Sequence, residues 1–165
     1  QQLGEMIGIN FEESIECLKD GSIERALKAV NGEPYYAFLD IVGKYDDPYV
    51  VIFHLQYELA PRLSFNYRDV TYRTVDQLGN AIYNRKANRK IIIEAMKKHL
   101  FSEYLALRNF EEKFSYMVEG VAFAEEYVTV DESIAYDLLS QHLSLRKWYK
   151  LKGRKFYSVQ GRFII

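Results

Sequence analysis

The stretch Asp47–Val75 returns 84 residues later as Asp131–Val159. Asp47 falls on Asp131, Leu55 on Leu139, Leu59 on Leu143, Arg62 on Arg146, Phe65 on Tyr149, and Thr74-Val75 on Ser158-Val159. Each copy reads as an apolar helix that runs into a basic, aromatic pair of short strands. The recurrence constrains architecture and is silent on activity.

Upstream, the match continues at shorter offsets. Gln2-Leu3-Gly4-Glu5-Met6-Ile7 reappears as Gln77-Leu78-Gly79-Asn80-Ala81-Ile82, and Ile23, Leu27, Ala29 and Asn31 meet Phe101, Leu105, Leu107 and Asn109. The first set is displaced by 75 residues and the second by 78, so the six residues that widen the offset to 84 fall between Asn109 and Asp131. Insertions confined to one place, with matching pattern on both sides, are what a duplicated unit leaves behind. The expectation is an α+β fold, predominantly α-helical, of two tandem quasi-equivalent helical units with short antiparallel β-hairpins. Residues 1–75 form the first unit and 76–165 the second, each ending in a hairpin, together one continuous repeat module.

Local signals place the elements. Asn10 is the expected N-cap of a helix that ends at Gly21, and Ser22 the cap of the next, with Ile23, Ala26, Leu27 and Val30 as its inward stripe. Pro34 suits a first helical turn, and Asp47-Pro48 starts the long helix that stops before Pro61. Phe65 and Tyr67 alternate with Asn66 and Arg68 as a strand would, turning near Arg68-Asp69-Val70. Thr74 and Gln77 are spaced as a capping box for the Leu-Gly helix. Glu111–Tyr127 is expected as one long helix, and Lys147–Leu151 with Lys155–Val159 as the second strand pair. Gln160–Ile165 reads as a strand end. The expected core is Leu27, Phe38, Leu39, Val51, Leu55, Leu59, Leu78, Ile82, Ile92, Leu105, Met117, Leu139 and Leu143.

Composition narrows the class. A chain of 165 residues, 48% hydrophobic and 27% charged, is globular in character and long enough for a core. Fourteen tyrosines imply many half-covered rings with their hydroxyls at the edge. One cysteine, Cys17, cannot close an internal disulfide, and a reducing, cytoplasmic setting is the simplest expectation. No apolar run approaches the length of a membrane span. The opening QQLGEMIG reads as interior text, so a fragment of a longer intracellular protein is expected. The net charge of −1 conceals a polarity. Gln1–Ala60 holds eleven acidic against four basic residues, whereas Leu138–Ile165 holds seven basic residues and no acid.

Catalytic and metal signatures do not rise from the sequence. His54, His99 and His142 lack a second ligand at zinc-helix spacing and read as ordinary surface or half-buried histidines. Cys17 reads as a small core residue. Glu12-Glu13-Glu16, Glu111-Glu112 and Glu125-Glu126 all read as solvated helix faces. No phosphate loop, nucleophile elbow or paired-cysteine motif is present, so no catalytic residue, metal ligand or cofactor is assigned. The sharpest feature is basic: Arg146, Lys147, Lys150, Lys152, Arg154 and Lys155 interleave with Trp148 and Tyr157 as a candidate binding surface. A second basic cluster comprises Arg85, Lys86, Arg89, Lys90 and Lys97-Lys98.

The leading functional expectation is a non-catalytic helical repeat module, a scaffold or protein-interaction surface, with a protein partner or self-association. The alternative is single-stranded nucleic-acid binding through the basic aromatic hairpin 146–157, where cations meet phosphates and rings stack on bases. A third is an enzyme whose site is assembled from several helices and is invisible in sequence.

Overall fold

A computed structural model describes residues 1–108, 117–144, 157–159 and 162–164. Its helices are α1 (Gln2–Ile9), α2 (Phe11–Lys19), α3 (Ser22–Asn31), α4 (Tyr36–Lys44), α5 (Pro48–Leu59), α6 (Val75–Tyr83), α7 (Arg89–Lys97), α8 (Leu100–Leu107), α9 (Val118–Tyr127) and α10 (Glu132–Leu143). Strands β1 (Phe65–Tyr67) and β2 (Val70–Tyr72) form one two-stranded sheet. Strands β3 (Tyr157–Val159) and β4 (Arg162–Ile164) form another, antiparallel, with Tyr157 opposite Ile164 and Val159 opposite Arg162. The tail read as a strand end is thus a pairing strand, while the expected partner Lys147–Leu151 lies outside the described residues. The fold is α+β and mainly helical. By contact density the chain divides into two compact units, Gln1–Arg68 and Asp69–Ile165.

In the first unit, α1 crosses α5 at a glycine. A Cβ on Gly4 would lie 2.8 Å from the Ala60 Cβ and 2.9 Å from the Gln56 carbonyl oxygen, too close for any other residue. A buried polar knot then ties β1 to both helices. Asn66 donates from Nδ2 to the Gly8 carbonyl (2.8 Å) and to Gln56 Oε1 (2.9 Å), while Gln56 Nε2 donates to the Asn66 carbonyl (2.8 Å). The Asn66 amide donates to the Tyr57 hydroxyl, which donates in turn to the Ser64 carbonyl. This knot corrects the alternation expected of β1: Asn66 is buried along with Phe65 and Tyr67. A polar side chain is stable inside when its bonding capacity is met. Around it, Phe53 stands edge-on to Tyr57 and Tyr67, and Phe11 edge-on to Tyr67.

Several local expectations are corrected. Asn10 stands at the N-cap position of α2, as expected, but its side chain accepts no amide there: Nδ2 donates backward to the Met6 carbonyl and closes α1. Ser22 is the first residue of α3, and Asp20 Oδ1 accepts from its amide. α4 begins at Tyr36, after Pro34. α9 begins at Val118, and residues 111–116 of the long helix expected there lie outside the described residues. Leu39, Ala26 and Val30 are exposed, because α4 and α3 bury only Phe38, and Ile23 with Leu27, on their inner faces. Leu59 is half-buried, and the other expected core residues are buried. Asp47 does cap α5, accepting from the Tyr49 amide, and Asp131 caps α10, accepting from Ser133 and Ile134. Of the Thr74–Gln77 box, Thr74 Oγ1 accepts from the Gln77 amide at 3.1 Å.

In the second unit α6 packs on α10, and α9 lies across α7, α8 and α10. Here too the first crossing needs a glycine. A Cβ on Gly79 would sit 2.5 Å from the Leu143 carbonyl carbon and 2.6 Å from the Ser144 nitrogen. Ser144 Oγ donates to Asn80 Oδ1 at 2.9 Å across this contact.

Both units contain the same helix connector. α2 ends at Asp20 (φ −86°, ψ −1°) and turns through left-handed Gly21 (φ 76°, ψ 10°) into α3. α7 ends at Lys98 (φ −94°, ψ 4°) and turns through left-handed His99 (φ 58°, ψ 26°) into α8. The Gly21 amide donates to Leu18 and the Arg25 amide to Gly21; the His99 amide donates to Met96 and the Glu103 amide to His99. Every residue in the second set is 78 positions beyond its counterpart in the first. A histidine in the left-handed region is strained where glycine is not, so the connector is held there by what surrounds it.

Candidate interaction surface

The basic, aromatic surface expected from the sequence falls mostly where nothing is described. Arg146, Lys147, Trp148, Lys150, Lys152, Arg154 and Lys155 lie outside the described residues, and Tyr157 is the first residue of β3. The other basic cluster is visible. Lys97 pairs with Glu132 at 2.8 Å and Lys98 with Glu94 at 3.3 Å. The Arg89 guanidinium lies over the Tyr136 ring, 4.9 Å from its centroid. Burial raises the Tyr136 hydroxyl pKa, against the pull of Arg89. Arg85, Lys86 and Lys90 are exposed beside them.

The carboxylates split into three kinds. Glu16 pairs locally with Lys19, both largely exposed, a contact of little energetic weight. Glu12 is tied into the first unit: Arg68 Nε donates to its Oε1 at 2.7 Å and the Tyr49 hydroxyl to its Oε2 at 3.1 Å. Arg68 also lies over the Tyr49 ring.

Glu125 overturns the expectation of a solvated face. It is 1% exposed, on α9, and reaches the first turn of α8. Its Oε1 accepts from the Phe101 amide (2.8 Å) and the Ser102 amide (3.0 Å), and its Oε2 lies 2.5 Å from Ser102 Oγ. His99 Nδ1 lies 3.6 Å from Oε2. Desolvation pushes the Glu125 carboxyl up to about 7, against the opposing pull of the Ser102 and Phe101 donors. The signal for its burial is in the sequence: Glu125 shares the inward spacing of Val121, Ala124 and Val128. It makes a cap supplied by one helix to another, closing amides that α8 leaves without intrahelical partners.

The histidines serve packing. His54 stacks on Tyr45 at 4.3 Å, His99 turns the α7–α8 connector, and the His142 ring sits against Gly120, where burial lowers its pKa. Among the described residues no group of three or more His, Cys, Asp or Glu side chains is placed to hold a metal ion. Among them, too, no helix is long and apolar enough to cross a membrane.

Cys17, expected in the core, is half-buried at the wall of an open groove. The groove has a volume of about 280 Å³ and is walled by α1 (Leu3, Met6, Ile7), α2 (Glu13, Ser14, Cys17) and α3 (Ser22, Ile23, Ala26). Its walls are mostly apolar, and Met6 stands exposed at its rim.

Comparison with family models, curated proteins and solved structures gave no match.

Proposed function

We propose that the chain is a non-catalytic helical repeat module of an intracellular protein, made of two copies of one unit and offering its faces to protein partners. The observation that carries this reading is the connector shared by α2–α3 and α7–α8, whose flanking helix ends, backbone angles and backbone hydrogen bonds correspond at one offset. The glycine crossings support it independently. Gly4 meets Ala60 at the end of α5, and Gly79 meets Ser144 at the end of α10; Ala60 and Ser144 stand at the 84-residue offset. A small residue at a helix crossing and a left-handed connector are separate solutions to separate packing problems. Their joint recurrence in the same order favours duplication over chance. Units that cannot bury every face alone grow surfaces by stacking, which is how repeat proteins bind.

An experimental structure tests the first part: α2–α3 with the Gly4 crossing should overlay α7–α8 with the Gly79 crossing in one superposition. Sedimentation tests the second. An acidic first half and a basic tail should give concentration-dependent self-association at low salt that fades at high salt. A monomer at all concentrations and salts would leave only a foreign partner.

A further inference from the structure

We infer that the α1–α2–α3 groove of the first unit docks an amphipathic helix of a partner protein, which inserts an aromatic and an aliphatic side chain and carries Lys or Arg on its flanks. This rests on the repeat reading, since the second unit shows how the same helix pair is completed.

At the offset of 78, Ser14, Ser22 and Ala26 stand where the second unit has Ile92, Leu100 and Tyr104. Those three large side chains are buried; of their counterparts, Ser14 is buried too, its hydroxyl donating to the Ile7 carbonyl, whereas Ser22 is half-exposed and Ala26 exposed at the groove. The hollow in the first unit is thus bordered by small residues where the second unit has its own bulk. Cover differs as well. In the second unit α9 lies across α7 and α8, but its counterpart α4 packs on α5 and makes no comparable contact with α2 or α3. In the first unit α5 packs on α2 instead, and α3 is the helix left without a covering partner of the kind α9 gives α8. Leu100 and Tyr104, four residues apart on one helix face, give the size and spacing of what is missing.

Charge selects the flanks. The segment Gln1–Asn31 holds six acidic and three basic residues, and Glu13 on the groove wall has no ion pair among the described residues. A helix with apolar anchors and cationic flanks satisfies both features, in the helix-in-groove mode of recognition.

Cys17 is the only cysteine of the chain and lies in the groove, so its alkylation by iodoacetamide reports occupancy. The probe is a synthetic helical peptide with Leu and Tyr four residues apart and Lys flanks. It should slow alkylation by about tenfold at saturation, the Leu/Tyr-to-Ala peptide should not, and a Glu-flanked peptide should bind about tenfold more weakly. Filling the groove from within by Ser22→Leu with Ala26→Tyr should abolish protection by the peptide. The exposed-site change Ala26→Arg should do the same if the double variant fails to fold. No protection by the Lys-flanked peptide, equal binding of the Glu-flanked one, or binding undiminished in both variants overturns the inference. Self-association that Ala26→Arg removes would make a second copy the occupant and overturn the foreign helix. A peptide that fails against a chain whose two connectors superpose sinks this site alone; connectors that fail to superpose remove the repeat reading from which the matched positions come.

Discussion

Replacing Glu125 by Gln should leave the protein near its original stability at pH 5 and make it more stable at pH 8. The reason lies in one hydroxyl. Ser102 Oγ stands 3.0 Å from the His99 carbonyl and 2.5 Å from Glu125 Oε2, and its single proton can serve only one of them. With Glu125 ionised, Ser102 donates to the carboxylate. With Glu125 protonated, the acid donates to Ser102, and Ser102 donates to His99. Gln reproduces the second arrangement, its amide donating to Ser102 while its oxygen accepts from Phe101 and Ser102. Because the folded-state pKa of about 7 lies above the ordinary 4.5, the stabilisation linked to this proton is complete below about pH 4.5. It is lost as the pH rises through about 7. The difference corresponds to about 3 kcal/mol, with no discount for solvent because the side chain is fully buried. Urea unfolding at pH 5 and pH 8 measures it: between the two, the wild-type midpoint should fall by about 1–2 M relative to that of Glu125→Gln, which shares every other titrating group such as His142. Glu125→Ala separates capping from charge. At pH 5 it should cost about 3 kcal/mol, because it orphans buried amides, and should speed hydrogen exchange at Phe101 and Ser102. A difference between wild type and Glu125→Gln that is the same at pH 5 and pH 8 would refute the reasoning.

Three further outcomes are expected. Gly79→Ala forces a Cβ into the Leu143–Ser144 backbone and should destabilise by about 1–3 kcal/mol, whereas Gly43→Ala, in α4 with open space around it, should stabilise by about 0.5–1 kcal/mol; thermal unfolding compares them. Asn66→Ala removes the centre of the polar knot and leaves the Gly8 carbonyl and Gln56 Oε1 without their donor, so chemical denaturation should show a loss of about 2–4 kcal/mol. If the interleaved cations of 146–157 form a nucleic-acid surface, labelled single-stranded RNA should bind with a steep salt dependence, and Lys150→Ala with Arg154→Ala should flatten the slope by about two. Absence of binding at low salt retires that alternative.

Much of the helical frame was legible because it follows from local chemistry. Asp47-Pro48 and Asp131 begin helices whatever surrounds them, since a carboxylate accepting first-turn amides needs only its own neighbours. The apolar spacing of Val51, Leu55, Leu139 and Leu143 fixes which helix face turns inward. The Leu-Gly repeat was readable as pattern alone. Why it needs glycine, namely a backbone lying 2.5 to 2.9 Å from the absent Cβ, is a property of a helix some 60 residues away in sequence.

What tertiary structure alone decided is how polar groups are paired at long range. Asn66 alternates with Phe65 and Tyr67 and so reads as solvated, yet it is buried because Gly8, 58 residues distant, presents a carbonyl to it. Glu125 beside Glu126 reads as a charged surface, yet it is buried because α8 offers it two amides and a hydroxyl. Asn10 holds the N-cap position it was read into, yet its side chain closes the preceding helix. Sequence by itself specifies the period and the signals at helix ends, for these are set within a few residues. It does not specify where an amphiphilic side chain goes when burial and exposure are close in free energy, because that balance turns on whether distant chain supplies the complementary donor or acceptor.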